Sequence, residues 1–138
     1  MSRLPVFFLL MLAIDVSVWA EMSVSSDFPG GSAEVIAMDP AQQTLHIQPQ
    51  VQADHGWPCW WYCRLDGLSV GKSVRVSVSA NAKPYRGHAV LNRSWLAPDS
   101  ASISDDNHRW RPVPQSDRDG GAVTYRFNAS SKTMWIAW

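Results

Sequence analysis

Two cysteines, four histidines and a run of aromatics are the residues here that could carry chemistry. The cysteines bracket the stretch Cys59-Trp60-Trp61-Tyr62-Cys63. Three intervening residues depart from the two-residue spacing of thiol redox pairs. On a strand, positions four apart are separated by about 13 Å, at roughly 3.3 Å per residue. A disulfide needs Cα atoms about 4.4–6.8 Å apart. A bridge therefore requires the strand to begin after Cys59, which Pro58 permits. The alternatives are buried free thiols, which the spacing favours, and a pair of metal ligands. His46 falls on the polar side of an alternating run, and His55, His88 and His108 lie in loop-like segments. A zinc peptidase site of the His-x-x-Glu or His-Glu-x-x-His kind needs a glutamate close to a histidine. The two glutamates, Glu21 and Glu34, have no such spacing. Asp105 and Asp106 are adjacent on a loop, where carboxylates are usually solvated or cap an Asx turn; calcium binding or catalysis there is a minor alternative. There is no G-x-S-x-G, P-loop or G-x-G-x-x-G pattern, and the scattered serines favour no triad. No catalytic residue and no metal ligand is assigned.

The aromatics are the remaining candidates. The chain has eight tryptophans, and Trp57, Trp60, Trp61, Tyr62, Trp95, Trp110 and Trp135 could form a platform for sugar rings. Large aromatics are more often core elements or interface anchors. A free-standing carbohydrate-binding β-sandwich module is the alternative that a platform would define. Zero net charge removes the clustered basic footprint expected of a nucleic-acid or anionic-membrane binder.

The elements that hold these side chains read as short strands. In "TLHIQ", Leu45 and Ile47 oppose His46 and Gln48. In "SVRVSVSA", Val74, Val76, Val78 and Ala80 oppose Ser73, Arg75, Ser77 and Ser79. In "AVTYRFN", Val123, Tyr125 and Phe127 oppose Thr124 and Arg126. A period of two is that of half-buried strands. "DGLSVGK" and "DRDGG" supply turns, while "NAKPYRG" and "APDSASISDDN" look like loops. No helical stripe runs through residues 21–138. The expected fold is an all-β antiparallel sandwich. Arg3, the apolar run over residues 6–14 and Val18-Trp19-Ala20 have the layout of an export signal cut before Glu21. The run is shorter than the roughly 20 residues of a membrane span. The expected organisation is a signal peptide over 1–20, a polar lead over 21–31 and a sandwich over 32–138. The product would be periplasmic or extracellular, with no membrane association after cleavage.

Several separated features then fall in one order: "FPGGSAEV", "TLHIQP", "WWYCRLDGLSVGKSVRVSV", "WLAPDSASISDDNHRWRPVP", "GGAVTYRF" and "MWIAW". This order resembles the N-terminal β-sandwich domain of zinc carboxypeptidases of the cytosolic carboxypeptidase type. Phe28, Gly30 and Gly31 match that domain's opening turn; Trp60, Trp61, Tyr62, Arg64 and Gly67 match its aromatic strand. Ser104, Asp106 and Trp110 match a later segment, and Trp135 and Trp138 match the closing strand. Cys63 stands where an apolar or aromatic residue is usual, and the apparent export signal departs from the cytosolic namesakes. The resemblance implies an accessory domain packed, in cis or in trans, on a catalytic domain that holds the zinc through His-x-x-Glu and a later His. No position here matches those ligands. The final strand places Met134, Ile136 and Trp138 on one side and Trp135 and Ala137 on the other. A strand apolar on both sides wants cover on both. The expectation is a chain that stops at a domain boundary without its catalytic domain. Trp60, Trp61, Tyr62, Arg64, Trp110, Trp135 and Trp138 are the candidate marker or interface residues, and no cofactor is expected in this chain.

Overall fold

A computed structural model describes residues 21–51, 59–81 and 98–138. Nine strands carry the fold: β1 (Ser23–Ser25), β2 (Glu34–Asp39), β3 (Thr44–Gln48), β4 (Tyr62–Asp66), β5 (Ser73–Ser79), β6 (Ser100–Ser104), β7 (Arg111–Asp119), β8 (Ala122–Asn128) and β9 (Met134–Ala137). There is no helix among the described residues. The strands form one continuous sheet in the order β1-β4-β9-β6-β7-β8-β5-β3-β2.

The long strand β7 turns this sheet back on itself. Its first half pairs with β6, from Arg111 opposite Ile103 to Pro114 opposite Ser100. Its second half pairs with β8, from Gln115 to Asp119. A register shift between Gln115 and Asp117 lies in the second half, and such bulges bend and twist a strand. The two limbs, β1-β4-β9-β6 and β8-β5-β3-β2, thus become facing layers around a shared core. The opposite edges nearly meet: Ser32, two residues before β2, makes an isolated bridge to Tyr62 of β4.

All strand pairs are antiparallel except β3 with β5, which run parallel from Thr44 opposite Arg75 to Ile47 opposite Val78. The expected wholly antiparallel sandwich is therefore corrected to a mixed, nearly closed sheet. Between β3 and β5 the chain passes through β4 in the other layer, and a crossover of that kind is what a parallel neighbour requires.

The alternating runs place their side chains as their period demands. Leu45, Ile47, Val74, Val76, Val78, Val123, Tyr125 and Phe127 are buried in one cluster with Trp61, Cys63, Leu65, Ile103, Met134 and Ile136. The Trp61 and Tyr125 rings meet across the layers, with centroids 5.7 Å apart. Tyr125 donates its hydroxyl to the Pro98 carbonyl at 2.7 Å. Burial pushes this phenol up to about 12; Arg118 opposes the rise and Asp99 adds to it. Gln43, buried and with φ at 49°, ties neighbouring turns together. Its amide donates to Ser73 O at 3.2 Å and its Oε1 accepts from Ser69 N–H.

Two segments read from sequence as irregular are strands: β6 lies within "APDSASISDDN", and β1 within the polar lead. The "DRDGG" turn closes a β7–β8 hairpin in which Asp119 opposes Ala122. Gly120 and Gly121 there have φ of 54° and 108°. Positive φ at both central residues is the usual requirement of a two-residue hairpin turn.

Candidate interface

The outer face of the β1-β4-β9-β6 layer collects the candidate residues. Tyr62 and Arg64 of β4 stand opposite Ala137 and Trp135 of β9. Those in turn stand opposite Ser102 and Ser104 of β6. Trp60, two positions before Tyr62, shares its side. Trp60 and Tyr62 meet edge to face at 6.2 Å, and Tyr62 and Trp110 at 5.8 Å. Trp138 lies 6.4 Å from Trp60 at 55°. Together with Ser102, Asn107 and Ala137 these rings line a shallow groove of about 340 Å³.

The groove is built by two loops brought onto one strand. The first is the "FPGG" turn. Phe28 packs edge-on against Tyr62 at 4.8 Å. Gly31 N–H donates to Phe28 O at 2.9 Å, and Trp60 Nε1 donates to Gly30 O at 2.7 Å. Gly30 has φ of 83°, which glycine adopts without the penalty a Cβ imposes. A Cβ on Gly31 would lie 2.1 Å from the Ser26 carbonyl oxygen, so the turn closes only around glycine.

The second loop runs from Ser104 to Trp110. Asp106 organises it. Its Oδ1 accepts from the His108 and Arg109 amides at 2.9 and 2.8 Å and from Ser104 Oγ at 3.1 Å. Its Oδ2 accepts from Arg109 Nε at 2.8 Å. These donors, led by the Arg109 and His108 backbone N–H groups, hold its carboxyl well below the usual carboxylate range. Asn107 adopts a left-handed φ of 62° and its Oδ1 accepts the Tyr62 hydroxyl. That bond pins the loop over β4, beside the buried Ser104 and Ala137.

Six of the seven candidates are therefore on one face. Trp60, Trp110 and Trp138 remain 44%, 40% and 48% exposed. Arg64 is held by Asp66 at 2.8 Å, and Asp66 also accepts from Thr133 Oγ1 at 2.9 Å. Trp61 is the exception. It points inward and is fully buried, which makes it a core residue. Trp138 departs from the expected alternation: it lies beside Trp60 on the outer side, not with Ile136. The strand ends at Ala137; Trp138 N–H still donates to Trp61 O at 3.0 Å, while its ring turns to Trp60. Asn107 was not singled out by sequence; the Asp-Asn pair before "HRW" was its only signal, since Asn tolerates left-handed φ better than most residues.

The remaining reactive types lie apart from one another among the described residues. Both cysteines are free thiols; Cys63 is fully buried and Cys59 partly so. Desolvation pushes the Cys63 thiol up to about 12, the opposite of what a nucleophile needs. His46 lies in the other layer, with its Nε2 2.8 Å from Ser79 Oγ. His55, His88, Trp57 and Trp95 lie outside the described residues. Among the described residues no group of three or more His, Cys, Asp or Glu could hold a metal ion, so the chain's described donors do not fit a zinc site. The rings of the groove meet at 55–74° to one another. They do not form the coplanar platform on which a row of pyranose rings would stack.

The chain belongs to the cytosolic carboxypeptidase N-terminal domain family, which it matches over residues 24–138. Its fold is similar to part of the metallo-carboxypeptidase of Burkholderia cenocepacia, with a TM-score of 0.64 at 20% identity over 84% of this chain. It is likewise similar to the metallo-carboxypeptidase of Pseudomonas aeruginosa solved with (2-guanidinoethylmercapto)succinic acid, with a TM-score of 0.58 at 20% identity over 83% of this chain. The match spans 28% of the length of each of those proteins. Comparison with curated protein sequences finds no match.

Proposed function

We propose that this chain is a non-catalytic accessory domain that docks on the catalytic domain of a zinc metallocarboxypeptidase through its outer aromatic face. The observation that carries the reading is the convergence of Trp60, Trp110 and Trp138, all at least 40% exposed, on the groove over β4 and β9. Exposed tryptophans gathered around one concavity are the usual anchors of protein interfaces. Membership of a carboxypeptidase N-terminal family supports the identity of the partner. Docking in cis or in trans uses the same surface. The domain shapes the flank of the substrate entrance, and the zinc and general base belong to the partner.

Export forms part of the proposal. Residues 1–20 act as the signal, and the product works in the periplasm or outside the cell. N-terminal sequencing of the exported protein then begins at Glu21.

The docking test is calorimetric titration of this chain with a purified zinc carboxypeptidase catalytic domain encoded in the same genome. Saturable binding lost in Trp60→Ala is the expected result; binding unaffected by Trp60, Trp110 and Trp138 substitutions would place the interface elsewhere. Zinc-dependent release of C-terminal residues from peptides by this chain alone would refute the non-catalytic assignment.

A further inference from the structure

Six arginines lie among the described residues. Arg64, Arg109, Arg111 and Arg118 each pair with an aspartate, at 2.8 to 3.9 Å. Arg75 and Arg126 pair with no described carboxylate. Both are exposed on the outer side of the β8-β5-β3-β2 layer, and they stand directly opposite each other on β5 and β8. Like charges so placed destabilise a strand pair.

The ladder makes this opposition close. Arg75 N–H donates to Gln43 O at 2.9 Å, toward β3. Thr124 O accepts from Ser116 Oγ at 3.1 Å, toward β7. The main-chain groups at these positions therefore turn away from the seam between β5 and β8. Arg75–Arg126 and the next pair along, Ser77–Thr124, are thus non-hydrogen-bonded pairs, in which Cα atoms stand about 4.5 Å apart and side chains are closest. The Ser77 and Thr124 hydroxyls accordingly meet at 2.8 Å. One donates to the other, which leaves the second O–H free to turn elsewhere. Thr44, His46, Arg75 and Ser77 line a shallow hollow of about 320 Å³, and Thr124 and Arg126 stand beside it. Asp39 also borders the hollow, opposite Thr44, where it accepts from the Gln42 amide at 3.2 Å. Asp117 stands opposite Thr124 on β7. An extended polyanion laid across the strands would run onto these carboxylates, so the face suits one compact anion.

We propose that Arg75 and Arg126 clamp a single phosphate dianion, with the Ser77–Thr124 hydroxyl pair beside it as a further donor. Two guanidiniums offset the charge of about −1.5 to −2 that a phosphate monoester carries at neutral pH. Their planar forks match phosphate oxygens two at a time. A carboxylate is satisfied by one fork and leaves the second arginine unmatched. Binding replaces a repulsion across the seam with two attractions. The site lies on the other layer from the aromatic groove, and its test involves no catalytic domain.

The experiment follows the full chain, labelled with nitrogen-15, by NMR as sodium phosphate is added at neutral pH and constant ionic strength. The Nε–H signals of Arg75 and Arg126 and the amides of residues 75–77 and 124–126 should shift along one saturating curve. Acetate should bind at least about fivefold more weakly, since one fork satisfies it. Glycerol 3-phosphate separates the sources: tighter binding than inorganic phosphate assigns the site to a monoester, equal or weaker binding to the free ion. Arg126→Gln should weaken phosphate binding at least about tenfold, the scale of one hydrogen-bonded charge. It should also raise the urea midpoint of the phosphate-free chain, because the opposed charge is gone; Arg75→Gln reads the same two effects should the first variant not fold. Equal binding of acetate, a response that does not saturate, or unchanged affinity in both variants would overturn the proposal. Across residues 52–58 and 82–97, which lie outside the described residues, Asp54 is the one carboxylate. Movement of either Nε–H signal on Asp54→Asn without phosphate would therefore also overturn it, because the pair would already be neutralised within the chain.

Discussion

Replacing Gly31 with alanine should dislodge the turn that builds the groove. An ideal Cβ at Gly31 would lie 2.1 Å from Ser26 O, 2.7 Å from Ser26 C and 3.0 Å from Phe28 O. All three are backbone atoms, so no side-chain rotation relieves the overlap. Ordinary Cβ contact begins at 3.4 Å, so the Ser26 peptide must withdraw by 3.4 − 2.1 = 1.3 Å. Three hydrogen bonds depend on its present position: Gly31 N–H to Phe28 O, Ser26 Oγ to Ala33 O and Trp60 Nε1 to Gly30 O. Overpacking costs about 1–3 kcal/mol, and each lost hydrogen bond about 0.5–1.5 kcal/mol. With partial relaxation the expected loss is about 3 kcal/mol. Gly71→Ala is the control: its φ is 81° but nothing lies within 4 Å of the added Cβ. Only the left-handed strain of about 1–2 kcal/mol applies there. Urea unfolding followed by tryptophan fluorescence measures both, and an unchanged slope with urea certifies the comparison. A Gly31→Ala loss no larger than that of Gly71→Ala would refute the close-approach argument.

Three further outcomes follow from the site. Cys63 keeps its proton in the fold up to about pH 12, against a usual value of 9.0. The unfolded chain sheds that proton first, so stability falls as pH rises through this window, by at most about 1.4 kcal/mol per pH unit. Because Tyr125, pushed up to about 12, adds its own fall above pH 10, the measurement is the difference in urea midpoints between the native chain and Cys63→Ala from pH 8 to 10. Asp106→Asn removes the charge that gathers the His108 and Arg109 amides; their hydrogen exchange should accelerate and Trp110 emission should move to longer wavelength, with the urea midpoint nearly unchanged. In the native chain the depressed Asp106 carboxyl keeps the loop ordered at and above the ordinary carboxylate range, and the order is lost only as pH falls well below it. Trp60→Ala should weaken catalytic-domain docking by about 2 kcal/mol or more, the scale of an interface anchor, measured by the calorimetric titration.

The inward halves of the strands were legible because burial has a period of two and needs only the local sequence. Val74, Val76 and Val78 obey it without exception. The outward aromatics were legible only as types. Trp60 and Trp61 are chemically the same, and their separation to opposite faces depends on where β4 begins. Trp138 was misplaced too: it follows the end of β9, and although its N–H still bonds to Trp61 O, its ring lies beside Trp60. β6 was hidden because Ser100-Ala101-Ser102-Ile103-Ser104 contains turn-forming residues, and its pairing with β7 and β9, not propensity, makes it a strand. The parallel β3–β5 pair was illegible, since an alternating pattern carries no strand direction. The ordered family markers gave the family but not their meeting place: Phe28, Tyr62 and Trp110, far apart in sequence, pack together only in the fold.

The position of β9 has a consequence for synthesis. This strand, last in sequence, lies between β4 and β6. A growing chain has made β4 long before the strand that joins it to β6. The interval from Asp66 to Met134 is 134 − 66 = 68 residues, or roughly 3–14 s at about 5–20 residues per second. Until residues 134–137 leave the ribosome, the layer cannot close and the groove has no floor. The domain thus stays threadable while it is being made, and its aromatic groove is completed only when the last strand slides into place.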